Sequence, residues 1–297
     1  MAETLKTFRG SCHCGEYIYE VDLPEKFKPT ECNCSSCYKK GALWIMPEPG
    51  KFRFVKGNVD TLTNYTFGEK TFNHKFCPNC GVHLLIVGYV ELPKPGEVKD
   101  PMTGFNVRSF QYGQGVDVWT IERNHLDGKS FRAPYELPKF TGPEPTAVIE
   151  GGRLYNGSCH CGAIKVALKS KPLDKSSSER ILECNCSICN RHGSVWSYPQ
   201  KDQIVIEGED NLGVYLFNTK LFGKTFCKTC GIAVHNHVLP ISEEQFNQMP
   251  EAMQKFVESS KSVKPINLRL FNDLNVRDLN VGQFDGYNQT LPRYVEP

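Results

Sequence analysis

The sequence predicts a mainly β protein of small antiparallel sheets, built as two tandem copies of one cysteine-rich domain with a helical insertion in the second. Three observations carry this expectation. The 14 cysteines fall into two sets of seven with the same order of spacings. The apolar residues gather in short β-branched and aromatic runs punctuated by Gly, Pro and Asn. A Pro- and Gly-rich segment lies at the middle of the 297 residues, a length that suits two domains of roughly 100–200 residues.

In chain order the strand-like runs are 17–21, 51–55, 84–90 and 116–121, then 164–168, 203–206 and 214–217 in the second half. Residues 133–152 hold Pro134, Pro138, Pro143, Pro145, Gly142, Gly151 and Gly152 and read as a linker. We therefore expect a first zinc-type domain over 1–140, a linker over 141–152 and a second domain over 153–297. The clearest helix is 242–261, interrupted by Pro250, with Ser242 as N-cap and Glu243 and Glu244 in the first turn. It falls where the second copy is longer: Cys80 precedes Asn106 by 26 positions, and Cys230 precedes Asn267 by 37.

The duplication is explicit in the cysteines. Cys12, Cys14, Cys32, Cys34, Cys37, Cys77 and Cys80 match Cys159, Cys161, Cys184, Cys186, Cys189, Cys227 and Cys230, at offsets of 147, 152 and 150 residues. Each set reads C-x-C, then C-x-C-x-x-C, then C-x-x-C. The surrounding words repeat too: GSCHCG at 10–15 and 157–162, ECNCS at 31–35 and 183–187, and Trp44 and Trp196 each seven residues after the third cysteine of the triplet. Further on, Asn106 and Arg108 match Asn267 and Arg269, and Asp127-Gly128 matches Asp285-Gly286.

Charge and apolar runs exclude other classes. Lys+Arg is 35 against Asp+Glu 33, a net charge of +2 without a basic stretch or tail, which opposes a nucleic-acid partner. The opening residues lack a basic and then apolar leader. The longest apolar run, within 84–90, is far short of the roughly 20 residues needed to span a bilayer. The expectation is a cytoplasmic protein without a membrane partner, where paired cysteines point to metal rather than disulfides.

Close cysteine pairs suit a metal because one tight turn aims two sulfurs at one ion. Seven does not divide by four, and the natural partition is four plus three. Cys12, Cys14, Cys77 and Cys80, and their copy Cys159, Cys161, Cys227 and Cys230, form closed four-thiolate sites suited to structural zinc, giving about two zinc ions per domain. Cys32, Cys34 and Cys37, and Cys184, Cys186 and Cys189, leave one tetrahedral position open, as reactive zinc requires. Three alternatives stand beside this: a histidine closing the triplet (His74, His83, His192, His235 or His237), a disulfide framework, and a ribbon-like structural module. None of the histidines keeps one position in both copies. Three anionic sulfurs make zinc a weak activator of water but a ready acceptor of a fourth thiolate. The expected ligand is a thiol, and the expected chemistry makes, breaks or holds a bond to sulfur.

GSCHCG, ECNCSxC, a downstream Trp, FCxxCG and a following N-x-R together resemble the glutathione-dependent formaldehyde-activating enzyme family, which also includes centromere protein V. The resemblance covers both halves and all seven cysteines of each. It implies a β-tent fold and the same zinc partition, with Cys32, Cys34 and Cys37 as the catalytic-type site and Cys184, Cys186 and Cys189 as its copy. It also implies carbon–sulfur lyase chemistry on a glutathione adduct such as S-hydroxymethylglutathione. In the expected mechanism the zinc holds the substrate sulfur as a thiolate. The alternative reading is a non-catalytic zinc-binding scaffold or interaction protein.

Other residues have narrower roles. Lys39, Lys40, Arg191 and His192 follow the triplets and are candidates to offset the anionic centre, with Lys39 and Arg191 as candidate binders of a glutathione carboxylate. Arg108 and Arg269 suit structural salt bridges more than substrate binding. Trp44 and Trp196 suit the core or a pocket wall, and Asn33 and Asn185 suit bracing of the ligand turn. No dinucleotide, P-loop or nucleophile-elbow signature is present.

Overall fold

In a computed structural model the described residues are 4–94, 97–130 and 134–297; Ala133, the first residue of the expected linker segment, lies outside them. The first copy contains β1 (Leu5–Ser11), β2 (Ile18–Pro24), β3 (Thr30–Cys32), α1 (Ser35–Lys40), β4 (Trp44–Ile45), β5 (Phe52–Lys56), β6 (Thr63–Tyr65), β7 (Phe72–Phe76), β8 (His83–Gly88), β9 (Met102–Asn106) and β10 (Asn124–Leu126). The second contains β11 (Arg153–Ser158), β12 (Lys165–Ser170), β13 (Ile181–Cys184), α2 (Ser187–His192), β14 (Val195–Ser197), β15 (Ile204–Glu207), β16 (Leu212–Leu216), β17 (Phe222–Cys227), β18 (Ala233–Val238), α3 (Glu243–Asn247), α4 (Glu251–Ser260), β19 (Ile266–Asn267), β20 (Gly282–Phe284) and α5 (Gly286–Gln289).

Among the described residues each copy folds as a three-stranded sheet and a seven-stranded sheet. The small sheets run β1-β2-β5 and β11-β12-β15, and the large ones run β10-β3-β4-β9-β8-β7-β6 and β20-β13-β14-β19-β18-β17-β16. Alternation explains the burial: in β2, Tyr19, Val21 and Leu23 are buried while Glu20 and Asp22 are less so. The pairing is antiparallel except at one edge. There β10 runs parallel to β3, and β20 parallel to β13, so Leu126 lies beside Cys32 and Phe284 beside Cys184. The sheets are antiparallel as expected apart from this edge, and the parallel strand brings Asp127-Gly128 and Asp285-Gly286 to the cysteine triplets.

Two local expectations also change. Residues 116–121 form turns, not a strand. The Asp117 carboxylate accepts from the Trp119 amide at 2.9 Å and its carbonyl from Ile121 at 2.8 Å, so local side-chain capping wins over β propensity. The predicted helix is two: Ser242 caps α3 in a reciprocal capping box with Gln245, and Pro250 caps α4. Proline ends one helix and starts the next because it lacks the amide hydrogen a continuing helix needs.

The two copies share one core. Phe8, Tyr19, Phe76 and Phe105 of the first belong to the same buried cluster as Ile164, Trp196, Phe226 and Phe271 of the second. The seam has an approximate two-fold character. His13 hydrogen-bonds the Tyr215 hydroxyl and the Ser187 hydroxyl, both at 2.9 Å. In mirror fashion His160 meets the Tyr65 hydroxyl at 2.7 Å and the Ser35 hydroxyl at 3.0 Å. Gly81 packs against the Phe226 ring, and Gly231 against Phe76.

The chain ends of the copies are also exchanged. The Tyr135 ring stacks on His160 at 4.5 Å and its hydroxyl donates to the His160 carbonyl. The Tyr294 ring stacks on His13 at 4.2 Å and donates to the His13 carbonyl. Pro138 then lies over Gly162, as Pro297 lies over Gly15. A Tyr-x-x-Pro tail from each copy thus covers the Cys-x-Cys turn of the other.

At the seam's centre α1 and α2 both end in left-handed glycines, Gly41 (φ 58°) and Gly193 (φ 60°). A β-carbon on Gly41 would stand 2.5 Å from the Gly193 carbonyl oxygen, and one on Gly193 2.7 Å from the Lys40 carbonyl oxygen. Gly193→Ala is therefore expected to destabilise the protein by about 1–3 kcal/mol, through strain and backbone contact together. A fall in the urea midpoint is the reading that checks it; an unchanged midpoint would sink the account. A fragment of residues 1–140 is expected to self-associate, because its share of the core is otherwise exposed. Light scattering showing a stable monomer would contradict the shared-core account.

Candidate metal centres

The four-cysteine groups assemble as their spacing suggests. Cys12, Cys14, Cys77 and Cys80 have sulfurs mutually within 4.8 Å, as do Cys159, Cys161, Cys227 and Cys230. Cys12 and Cys14 sulfurs are 3.4 Å apart, Cys14 and Cys77 3.5 Å, and Cys161 and Cys227 3.6 Å. A tetrahedral zinc with bonds of about 2.3 Å sets its sulfurs about 3.8 Å apart, so the donor sets fit that ion. Every cysteine is a free thiol, which removes the disulfide alternative. The Tyr17 amide donates to Cys12 Sγ and the Ile164 amide to Cys159 Sγ, both at 3.3 Å, favouring the thiolate form.

The triplets form where a strand runs into a short helix. Cys32 ends β3, Cys34 is the N-cap of α1 and Cys37 lies within it; Cys184, Cys186 and Cys189 repeat the arrangement with β13 and α2. Each triplet has its sulfurs within 4.8 Å, and among the described residues no histidine, aspartate, glutamate or further cysteine joins either group. The histidine-closed alternative therefore finds no support. The Cys34 amide donates to Cys32 Sγ at 3.4 Å and the Cys186 amide to Cys184 Sγ at 3.3 Å.

The parallel edge strand completes the turn. Asn33 donates to the Asp127 carboxylate at 2.6 Å, and Asn185 to Asp285 at 2.9 Å. A β-carbon on Gly128 would stand 2.5 Å from Cys32 Sγ, and one on Gly286 2.5 Å from Cys184 Sγ. Only glycine lets the backbone sit this close to the sulfurs. The Trp44 indole donates to Cys37 Sγ at 3.2 Å, and the fully buried Trp196 takes the same place beside Cys189.

Crowded thiols share protons, so ionisation is uneven. Hydrogen bonds from Cys32 and Cys37 push Cys34 down to about 2, with Lys40 adding to the effect. In the second triplet Cys189 is driven well below the ordinary thiol range by hydrogen bonds from Cys184 and Cys186, with Lys224 contributing.

The two sites are lined differently. In the first, Ala42, Ile86 and Phe72 pack around the cysteines. The corresponding positions of the second are Ser194, Asn236 and Phe222, and Cys184 and Cys186 are partly exposed. Lys224 reaches this site from β17, with Nζ 3.5 Å from Cys189 Sγ and 2.8 Å from the Asn236 side-chain oxygen. Sequence reasoning missed Lys224. The signal was available three residues before Cys227, where the first copy has His74.

The candidate carboxylate binders lie in the seam. Lys39 is buried and donates to the Ser158 carbonyl at 3.0 Å, the Leu270 carbonyl at 2.8 Å and the Asn272 side chain at 3.2 Å. Burial lowers its pKa to about 8. Arg191 is buried against the Ser11 and Ser187 carbonyls and pairs with Glu296 at 2.5 Å. Lys39 thus bonds across the seam to the other copy, and Arg191 bonds both across it, at Ser11, and within its own copy, at Ser187 and Glu296. His192 Nε2 donates to the Cys80 carbonyl oxygen at 2.9 Å, and burial lowers the imidazole pKa to about 4. Arg108 pairs with Glu183 at 3.0 Å and donates to the Gly41 carbonyl at 2.6 Å; Arg269 donates to the Gly193 carbonyl at 2.7 Å and the Tyr38 carbonyl at 3.2 Å.

With this geometry in place, the comparisons identify the lineage. The sequence model for the glutathione-dependent formaldehyde-activating enzyme matches residues 7–97 and 154–267, one stretch in each copy. The chain belongs to the glutathione-dependent formaldehyde-activating enzyme family. A crystal structure of a Rhodobacter sphaeroides protein is similar at 26% identity over 43% of this chain and 99% of its own, with a TM-score of 0.32. As a tandem member of the family, the chain carries both cysteine groups twice. No helix among the described residues is long and apolar enough to cross a membrane.

The four-plus-three partition has a direct check. Metal analysis is expected to find about four zinc per chain, falling to about three when Cys32, Cys34 and Cys37 are all changed to Ser, with far-UV circular dichroism retained. Loss of the fold in that variant would mean the triplet is structural.

Proposed function

We propose that this protein is a zinc-dependent carbon–sulfur lyase-type enzyme acting on a glutathione or related thiol adduct, such as S-hydroxymethylglutathione. The observation that carries the reading is a cluster of three thiols, in each copy, with no fourth protein ligand among the described residues, within a chain of this family. Cys32, Cys34 and Cys37 would hold one zinc, and Cys184, Cys186 and Cys189 another. Bound there, zinc supplies a Lewis acid that favours a thiolate over a thiol at the position the protein leaves free.

The chain's own groups set the conditions for that chemistry. The Trp44 indole and the Cys34 and Cys186 amides donate to ligand sulfurs, which fixes the sulfurs and disperses their charge. Asn33 and Asn185 tie the ligand turns to Asp127 and Asp285, so the three thiols are held before a substrate arrives. In the synthetic direction the glutathione sulfur forms a bond to the formaldehyde carbon, the carbonyl π bond breaks, and the thiol proton ends on the new hydroxyl. In the reverse direction the sulfur leaves as thiolate while the hydroxyl proton is removed. The second copy's site, with Ser194 and Asn236 in place of Ala42 and Ile86, is the more polar of the two and the one we favour for substrate entry.

Titration of the cobalt-substituted protein with glutathione tests this reading. Millimolar glutathione is expected to shift the cobalt–thiolate absorption, and the shift should weaken when Cys184, Cys186 and Cys189 are changed to Ser. An unresponsive spectrum would instead favour a non-catalytic zinc scaffold.

A further inference from the structure

The two triplets differ in where their nearest positive charge comes from. Three residues after Cys37 stands Lys40, and three after Cys189 stands His192. Three residues before Cys77 stands His74, and three before Cys227 stands Lys224. Strand register confirms the equivalence: His74 pairs with Ile86 across β7 and β8, as Lys224 pairs with Asn236 across β17 and β18. Each copy thus has one lysine and one histidine at the same two positions, with the residue types exchanged.

The surroundings are adjusted to the exchange. In the first copy Lys40 is buried, contacts the Ser36 hydroxyl one helical turn earlier, and lies 3.3 Å from His74 Nδ1. It stands within electrostatic reach of Cys37 and Cys34. In the second copy Ser36 is replaced by Ile188, which no longer offers an acceptor on the helix. Ile86 is replaced by Asn236, whose oxygen accepts from Lys224 at 2.8 Å and aims it at Cys189 Sγ. Lys224 Nζ also lies 4.9 Å from the centre of the Trp196 ring. In each copy the acceptor accompanies the lysine.

Charge arithmetic gives the exchange a purpose. A divalent ion with three thiolates carries one net negative charge, and a fourth thiolate makes it two. In a partly desolvated site a second negative charge is costly unless a cation lies close by. We propose that Lys40 and Lys224 are positioning residues that supply this countercharge from opposite walls, so that each three-cysteine site can accept the anionic sulfur of a thiol. The proposal rests on the functional reading above and adds the groups that set thiol affinity.

Two readouts test it: competition for metal with a chelator, and binding of thiols to the cobalt-substituted full chain. Lys224→Met is expected to leave one metal equivalent held about 10–100-fold more weakly. It is also expected to weaken 2-mercaptoethanol and glutathione binding at one site by about ten-fold each. Lys224→His should behave like Lys224→Met at pH 8, whereas Lys224→His combined with His192→Lys and Ile188→Ser, which brings in the first copy's lysine together with its helical acceptor, should regain much of the affinity. That recovery separates countercharge from damage to the fold. Unchanged metal and thiol affinities in both Lys40→Met and Lys224→Met would overturn the proposal. A loss confined to glutathione would also overturn it, because the lysine would then be reading a carboxylate rather than the sulfur. If no thiol perturbs the unsubstituted cobalt protein, the functional reading fails, and the chelator competition still decides whether the lysines stabilise the anionic sites.

Discussion

His13 and His160 each sit between a tyrosine hydroxyl and a serine hydroxyl of the opposite copy, and the molecule is organised around this pair of contacts. Each histidine lies between the two cysteines of a Cys-x-Cys turn, and each serine begins the helix that carries a triplet. The four-cysteine group of one copy is therefore tied by a hydrogen bond to the helix beside the three-cysteine group of the other. Burial drives both imidazoles far toward the neutral form, His13 to about 2 and His160 to about 3. A neutral ring has one donor and one acceptor nitrogen, so one hydroxyl must donate to it and the other accept. The contact is specific as well as cohesive.

The charged residues near the seam obey the same constraint. Lys39, Arg191 and Arg269 are buried, and each meets backbone carbonyl oxygens presented by the seam, Arg191 with a carboxylate in addition. An ammonium or guanidinium removed from water needs such acceptors, because leaving it unpaired costs several kcal/mol. For Arg269 the carbonyls, those of Tyr38 and Gly193, are available because α1 and α2 end against one another and leave their last acceptors unsatisfied within the helix. Helix ends and buried cations complete each other here.

Much of this was legible in the sequence. The seven-plus-seven cysteines, their four-plus-three partition and the bracing Asn33 and Asn185 all read directly into the candidate metal centres, because ligand spacing is a local property; Asp127-Gly128 and Asp285-Gly286 read only as marks of the repeat. What depends on distant segments was not legible. Lys39 and Arg191 follow the triplets closely enough to suggest a local role, yet Lys39 meets Ser158 and Leu270 of the other copy, and Arg191 meets Ser11 of the other copy and Glu296 at the far end of its own. The strand expected at 116–121 yielded to capping by Asp117, and the parallel edge strand is too short to declare its direction. The Tyr-x-x-Pro tails and the lysine–histidine exchange did leave a signal, but only in a position-by-position comparison of the two halves.

Fusion of the copies has a consequence for what each half is free to become. Two identical subunits meeting across such a seam would carry the same residue at every equivalent place, and any change would appear twice. Here a single covalent chain fixes which half meets which, at a high effective concentration. Asymmetry is then tolerated without a risk of mismatched pairing: Lys40 can stand opposite a partner bearing His192, and α3 and α4 can extend one half only. The tether converts a symmetric assembly into two addresses, each open to independent specialisation.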